Sequence, residues 1–324
     1  MTADAPYWMA LAHLPRWGYS RINNLIVKFY LENKISIEEF FNLNDIDWKN
    51  HYSLEEKYVT DLLKAKQDLP NLSFLAESLS NQGYDIIPIT SEIYSKTLKN
   101  NLKINYSPTI LYIKGNEKIL QEKSLAIVGS RDASEIALKF TDNIAKLASK
   151  DFKVVVSGFA KGVDKQALDS AVKFTGQSII VLPQGILTFG SGFKTYYKQI
   201  IDGDVLVLST FMPNAPWRAE LAMARNPIIY GLADEIFVAE SSDKGGTWSG
   251  VLDGLRKGRK IYVRKPENGE KNANSLLIEK GSIPVDFFGN ELISENSVTY
   301  NNNDPVNENL VKNEQVLMQT TLFE

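Results

Sequence analysis

The chain has 324 residues, of which 44% are hydrophobic and 23% charged, as is typical of a soluble protein with one large or two smaller domains. The absence of cysteine excludes disulfides, thiolate chemistry and cysteine-ligated zinc, and the two histidines, His13 and His51, lie too far apart to predict a metal site. The net charge of −3 is uneven, because residues 124–265 hold 19 basic and 14 acidic side chains whereas the rest holds 17 and 25. A local basic surface is therefore compatible with an acidic protein.

Residues 1–80 are predicted to form a small helical domain. Four segments between residues 7 and 80 carry apolar residues at three- and four-residue spacing, and Ser36 followed by Glu39 is typical of a capping box. The stretch "LPRWGYSRINNLI" (residues 14–26) permits two interpretations. It is either a SAM-like or helix-hairpin-helix-like element that binds a nucleic-acid backbone, or a plain packing of helices.

Residues 81–290 are predicted to form an α/β domain. Residues 84–118 are short extended pieces punctuated by Pro and Gly. From Leu125 onwards, β-rich runs alternate with amphipathic helical patterns; the runs are "LAIVGS", "KVVVSG", "SIIVLPQG", "DVLVLST", "EIFVAE" and "KIYVRK". Apolar strands that alternate with helices indicate a parallel sheet covered on both faces. The predicted fold class is therefore α/β, with a doubly wound parallel sheet.

The sequence predicts no membrane partner. No apolar run approaches the ~18 residues of a transmembrane helix, and the N-terminus lacks the basic start of a signal peptide. Residues 291–324 are rich in asparagine and poor in apolar side chains, which predicts a disordered tail. We expect a cytoplasmic protein.

The tail ends in "QTTLFE", in which Gln319, Leu322 and Phe323 have the Q-x-x-L-F spacing of bacterial sliding-clamp-binding peptides. A glutamine and two adjacent apolar anchors on an unfolded tail suit a hydrophobic pocket on a partner. The alternative is that the tail folds back on the domain. The spacing favours the DNA sliding clamp as a partner.

Candidate anion-binding residues lie in the turns at the carboxyl edge of the predicted sheet, where open parallel sheets bind ligands. Glycine-containing turns there lead into helix starts, one of them capped at Ser134, and three cationic side chains accompany them. Free backbone N–H groups, helix dipoles and cations together suit a phosphate. The candidates are Gly129, Ser130, Arg131, Ser157, Gly158, Lys161, Gly162, Arg225, Asn226, Gly245, Gly246 and Thr247.

These turns give little indication of a cofactor-binding site or of a catalytic site. The G-x-G-x-x-G dinucleotide fingerprint and the Walker A loop are both absent, so no cofactor is predicted. Ser157 has no histidine to activate it, and nothing in the sequence brings Asp164 and Glu240 together, so no catalytic residue is predicted. Asp164 is predicted to cap a helix. Phe159 and Trp248 offer either a stacking face for a base or core packing, and core packing is favoured.

Taken in order, the motifs resemble the DNA-processing protein A family (DprA, also called Smf). The resemblance rests on "AIVGSR" (residues 126–131), "VVSGFAKGVD" (residues 155–164) and "RNPIIYGLADEIFVAE" (residues 225–240). "GRKIYV" and "NANSLLIEKGSIPV" are similar to the family's closing segments, and "GYDIIPITSEIYSKTL" is similar to its lead-in. The resemblance covers about residues 7–288.

This resemblance implies an extended Rossmann-like domain behind a small helical domain. It also implies single-stranded DNA bound in a basic pocket, a homodimer, and a role in loading a RecA-type recombinase during natural transformation. The DNA-phosphate contacts that it implies are Ser130, Arg131, Ser157, Gly158, Lys161 and Arg225.

Three departures from the family pattern indicate a divergent member, and they favour a role on a mobile element or in defence over one in transformation. Leu168 stands where the family often has histidine, Pro227 replaces the second arginine of its R-N-R segment, and the fifth turn reads "KGGTWSG". No winged-helix domain is expected after the α/β domain. The alternative is a nucleotide-signal-binding or phosphoribohydrolase-like protein of the same superfamily, since "GGT" before a helix resembles its phosphate-binding turn.

Overall fold

Short runs of β-branched and aliphatic residues form the strands of one sheet in the computed structural model, which describes residues 3–292. Within that range the strands are β1 (Asp85–Pro88), β2 (Ile110–Lys114), β3 (Ser124–Val128), β4 (Val154–Ser157), β5 (Ser178–Val181), β6 (Val205–Ser209), β7 (Glu235–Val238), β8 (Ile261–Arg264) and β9 (Ile283–Val285). The six runs recognised in the sequence become β3 to β8.

The strand order is β1-β2-β6-β5-β4-β3-β7-β8-β9. The strands from β6 to β9 in this order are parallel to one another, whereas β2 is antiparallel to both β1 and β6. The strands β3 to β6 are almost wholly buried, as a parallel sheet with both faces covered requires. The predicted α/β, doubly wound fold is confirmed.

Helices cover both faces of the sheet and form the N-terminal segment. They are α1 (Ala5–Ala12), α2 (Tyr19–Ile26), α3 (Ile37–Asn42), α4 (Asp45–Tyr52), α5 (Glu56–Gln67), α6 (Leu69–Asn81), α7 (Lys96–Tyr106), α8 (Glu135–Lys150), α9 (Val163–Lys173), α10 (Gly190–Thr195), α11 (Tyr197–Asp202), α12 (Ala219–Leu232), α13 (Gly245–Arg256) and α14 (Asn274–Glu279). A π-helical segment (Val27–Glu32) continues α2, and short 3-10 turns span Glu117–Gln121 and Ile186–Thr188. No helix in residues 3–292 is both long and apolar enough to span a bilayer.

Two predicted helix starts are confirmed by their caps. Ser36 and Glu39 form the reciprocal hydrogen bonds of a capping box at the start of α3. The hydroxyl of Ser134 accepts a hydrogen bond from the N–H of Ala137 and so caps α8.

The N-terminal helices share one hydrophobic core with the sheet. Buried polar contacts join the two parts. The Nε2 atom of His13 lies 2.9 Å from the hydroxyl of Tyr112 on β2, and the buried Asn23 donates to the carbonyl oxygens of Ile104 and Ser107. Because these groups satisfy one another away from water, they orient α1 and α2 against the sheet.

Helix α7 departs from the extended structure predicted for residues 84–118. Ser95 caps it, and Leu98 and Leu102, four residues apart, are buried against Gly231 of α12. A Cβ atom on Gly231 would lie 2.8 Å from both leucines. Tertiary packing therefore determines this helix, since its many lysines and asparagines give only a weak helical pattern.

The order in which strands are added to the sheet reverses between β3 and β7. From β3 the chain passes through β4 and β5 to β6 on one side, and it then returns to place β7, β8 and β9 on the other. At such a switch point the loops after neighbouring strands diverge and leave a crevice at the carboxyl edge of the sheet. The turns that follow β3 and β7 therefore border this crevice.

Candidate nucleic-acid interface

A cleft of about 460 Å³ opens at the switch point, between the turn after β3, helix α12 and the start of α13. It brings together two thirds of the residues predicted from the sequence. These are Gly129, Ser130, Arg131, Arg225, Asn226, Gly245, Gly246 and Thr247. Side chains that the sequence interpretation did not include also line it, namely Trp217, Met223, Tyr230 and Lys244.

The start of α13 faces the cleft with its backbone donors free. Lys244 is the N-cap residue, in extended conformation and without a side-chain cap, and Gly245 follows with a φ of +89°. Within residues 3–292 the N–H groups of Gly245, Gly246 and Thr247 have no acceptor. The hydroxyl of Thr247 donates to the carbonyl oxygen of Gly129 at 3.0 Å, so it ties α13 to the turn after β3. Free N–H groups at a helix start attract an anion.

The start of α8 is different, because a carboxylate of the protein lies beside its N-cap residue, Ser134. The carboxylate of Glu240 accepts hydrogen bonds from the backbone N–H and the hydroxyl of Ser134, the latter at 2.5 Å. The carbonyl oxygen of Glu240 accepts from the N–H of Ser130 at 2.8 Å. The protein's own carboxylate therefore competes with an external anion at the N-cap of α8.

Arg225 forms part of the floor of the cleft and is only 3% exposed. Its Nη1 atom donates to the carbonyl oxygen of Val181 at 3.1 Å and lies 3.9 Å from Oδ2 of Asp164. Its Nε atom has no partner among the described residues. A Cβ atom on Gly158 would lie 1.4 Å from Nη1, so Gly158 makes room for the guanidinium and does not itself line the cleft.

The sequence predicted that Asp164 caps a helix, and this prediction is wrong. The N-cap residue of α9 is Gly162. The carboxylate lies on the first turn of the helix, where the backbone N–H groups of Ala160 and Gly129 and the guanidinium of Arg225 favour its charged form. Burial acts against them and raises the pKa of Asp164 above its ordinary value. Asp164 thus supplies a countercharge to Arg225.

Three further candidates lie outside the cleft. Ser157 is fully buried and its hydroxyl donates to the carbonyl oxygen of Ile127 at 2.7 Å, so the predicted phosphate contact through this side chain is wrong. Gly162 has a φ of +85°, and a Cβ atom there would lie 2.3 Å from the carbonyl oxygen of Ser130. It allows the two turns to approach. Lys161 is exposed, and its Nζ atom lies 3.0 Å from Asp132 in a shallow neighbouring groove.

The two aromatic candidates, Phe159 and Trp248, pack against the core and do not line the cleft. Phe159 packs edge-to-face on Phe189 and Tyr196, with ring centroids 4.9 and 5.8 Å apart, and Trp248 is partly buried against the core. Core packing, the favoured alternative, is what the structure shows for both. The aromatic side chain exposed in the cleft is Trp217, which sequence reasoning missed. Its one local signal was a bulky ring in a loop between proline and arginine.

Comparison with known proteins matches this domain to one family. The model of the family described as DNA recombination-mediator protein A covers residues 85–292, which include every strand of the sheet. The chain belongs to this family. Two positions differ from the motif pattern: Leu168 is fully buried in the core, and Pro227, which is partly buried, lies inside α12.

Curated members of the DprA family are similar to this chain in sequence. It is 31% identical over 157 residues to the DNA processing protein DprA of Streptococcus pneumoniae, a match that covers 48% of this chain and 55% of that protein. It is 27% identical over 207 residues to DprA of Bacillus subtilis, covering 61% and 66%. The chain thus spans between about half and two thirds of the length of these relatives.

Solved structures of the DprA family share the fold. The crystal structure of S. pneumoniae DprA is 23% identical, with a TM-score of 0.70, and the match covers 88% of this chain and 95% of that one. DNA processing protein A from Helicobacter pylori, studied for its single-stranded DNA binding mode, is also 23% identical, with a TM-score of 0.53 over 62% of this chain and 90% of that one. These matches establish a common architecture.

Proposed function

We propose that this chain binds single-stranded DNA in the cleft and acts in DNA processing and recombination. The observation that carries the proposal is the start of α13, where three adjacent backbone N–H groups have no acceptor among residues 3–292 and face a cleft bordered by the exposed cations Arg131 and Lys244. Such donors and point charges hold phosphates. Membership of the DNA recombination-mediator family and the single-stranded DNA studied with the H. pylori relative support DNA as the source of the phosphate.

The cleft suits binding without sequence preference. Its polar groups are backbone N–H donors and cations, which contact phosphates and carry no base information. Arg225 adds positive charge from the floor, where Asp164 partly balances it. Lys161 and Lys165 lie beyond Arg131 in the neighbouring groove, where Asp132 and Asp169 pair with them at 3.0 and 2.6 Å and offset their charge. The strand would thus pass over the turn after β3 towards the start of α13.

The wider role follows the family. We propose a homodimer that loads a RecA-type recombinase onto single strands, in natural transformation, on a mobile element or in defence. The support is the family match and the two DprA relatives. Co-purification of a RecA-type recombinase with the chain, and its displacement when the chain is made monomeric by mutation, test this role separately from DNA binding.

The test of DNA binding is fluorescence anisotropy with labelled oligo-dT over a series of salt concentrations. We expect the logarithm of the affinity to fall linearly with the logarithm of the salt concentration. Lys244→Glu combined with Arg131→Glu should weaken binding strongly. The matched control is Lys150→Glu, an exposed lysine at the end of α8 and outside the cleft. If the folded double variant binds oligo-dT as tightly as the control, the cleft is not the site.

A second candidate function is the binding of a small nucleotide signal. It is favoured by the size of the cleft, whose volume of about 460 Å³ suits a compact ligand. Thermal stabilisation by a mononucleotide and not by oligo-dT would favour this function over the first.

A further inference from the structure

Trp217 is exposed in a protein that buries most of its tryptophans. Trp8, Trp17 and Trp48 are between 0% and 8% exposed, and Trp248 is packed against the core. Trp217 is 53% exposed, on the loop between β6 and α12. About half of this side chain therefore remains in water and adds nothing to the hydrophobic core.

The ring of Trp217 lies in the same cleft as the start of α13. Trp217 lines the cleft together with Met223, which is 48% exposed, and with the free helix start at Gly245 and Gly246. Among residues 3–292, no aromatic ring stacks on Trp217 and no cation lies over it. The cleft thus pairs a phosphate-binding edge with an unoccupied flat apolar face. A nucleotide has both chemistries, a phosphate and a π-face, in the same unit.

We propose that Trp217 is a stacking platform for a base of the bound strand. This inference rests on the proposed function. A base lies against the indole ring while the adjoining phosphate lies at the start of α13, and Met223 borders the base. Stacking of this kind accepts all four bases, because every base has a π-face. The site therefore adds affinity for bases without adding sequence preference.

The experiment measures affinities for oligo-dT, for an abasic oligonucleotide of the same length and for the mononucleotide dTMP. The wild-type chain is expected to bind oligo-dT roughly tenfold or more tightly than the abasic strand, and oligo-dT is expected to quench its tryptophan fluorescence. Trp217→Leu should lose this preference while it keeps the wild-type affinity for the abasic strand. Trp217→Phe, which retains a smaller ring, should lose less. The matched control is Phe152→Leu, since Phe152 is 89% exposed and lies before β4, away from the cleft.

The outcomes separate this inference from the function on which it rests. If the wild-type chain binds neither oligonucleotide, the proposed function fails. If it binds both equally, or if Trp217→Leu binds oligo-dT as tightly as Phe152→Leu, DNA binding stands and the stacking platform is overturned. Quenching by dTMP alone, without binding of oligo-dT, would identify a free nucleotide as the ligand and also overturn it. Circular dichroism of each variant verifies that it folds.

Discussion

The guanidinium of Arg225 lies in the space that a side chain on residue 158 would need, since a Cβ atom added to Gly158 would be 1.4 Å from Nη1. These residues are 67 positions apart, on α12 and in the turn after β4. Their contact places a buried cation under the cleft and joins two of the elements that surround it. Gly158, which the sequence predicted as a phosphate contact, is thus needed to make room for the guanidinium of Arg225.

Replacing Gly158 with alanine should destabilise the fold. The added methyl group collides with the guanidinium of Arg225, and overpacking of this kind costs about 1–3 kcal/mol in the free energy of unfolding. Urea denaturation measures it. The control is Gly190→Ala, where no heavy atom lies within 4 Å of the added Cβ atom. Equal stability of the two variants would contradict the packing described for Arg225.

Arg131 and Lys161 should differ in their contributions to DNA binding. Arg131 lines the cleft, whereas Lys161 lies outside it and is 3.0 Å from Asp132. We expect Arg131→Glu to weaken oligo-dT binding roughly tenfold or more and to lower the slope of the salt dependence by about one, because a phosphate contact is lost. Lys161→Glu should have the smaller effect. A larger loss for Lys161→Glu would move the path of the strand to the neighbouring groove.

The stability of the chain should fall as the pH falls from about 6.5 to about 4. Burial lowers the pKa of His13 to about 4, so the unfolded chain, whose histidine has its ordinary pKa of 6.5, binds more protons in this window. Below the window the loss reaches about 3 kcal/mol from this group. Denaturation across this pH range measures it. His13→Gln, which retains a hydrogen-bonding group for Tyr112, should flatten the dependence.

The pH dependence of the His13→Gln variant decides this prediction. If that variant retains the full slope between pH 4 and pH 6.5, other groups govern the acid sensitivity. His13 would then not be the residue through which acid loosens the contact between the N-terminal helices and β2.

The proposed clamp-binding peptide lies outside the described residues and stays a prediction. Deleting residues 319–324, or replacing Gln319, Leu322 and Phe323 with alanine, should abolish capture of a bacterial sliding clamp in a pull-down, because the polar and apolar anchors are lost. Thr320→Ala with Thr321→Ala is the matched control, since it changes only the spacer. Capture that survives the deletion would refute the peptide. DNA binding should persist in every one of these variants.

The elements that the sequence predicted well depend on local patterns. Apolar runs of four or five residues became β3 to β8, and the caps at Ser36 and Ser134 formed as expected, because strand burial and helix capping are decided by residues a few positions apart. The same reasoning placed the glycine turns and Arg225 at one edge of the sheet, since parallel strands present their carboxyl ends together.

Which of those polar groups remain available was decided only by the tertiary structure. Glu240 satisfies the helix start at Ser134 from 106 residues away, and Thr247 reaches Gly129 across 118 residues. No local pattern shows such partners, so Ser157 and the N-cap of α8 resembled phosphate contacts although the hydroxyl of Ser157 and the N–H of Ser134 already have acceptors. The exposure of Trp217 is likewise decided by the tertiary structure, because no local pattern shows whether a distant part of the chain covers a side chain in a loop.

The sequence by itself therefore determined the sheet, the edge that carries the cleft and the family to which the chain belongs, because hydrophobic periodicity and ordered motifs are properties of the chain alone. The fold decided which candidates line the cleft. It left the donors at Gly245, Gly246 and Thr247 without acceptors in the described part of the chain, buried Arg225 against Gly158 and kept Trp217 in solvent. A hydrogen-bonding group is available to a ligand only if no distant part of the chain has already satisfied it.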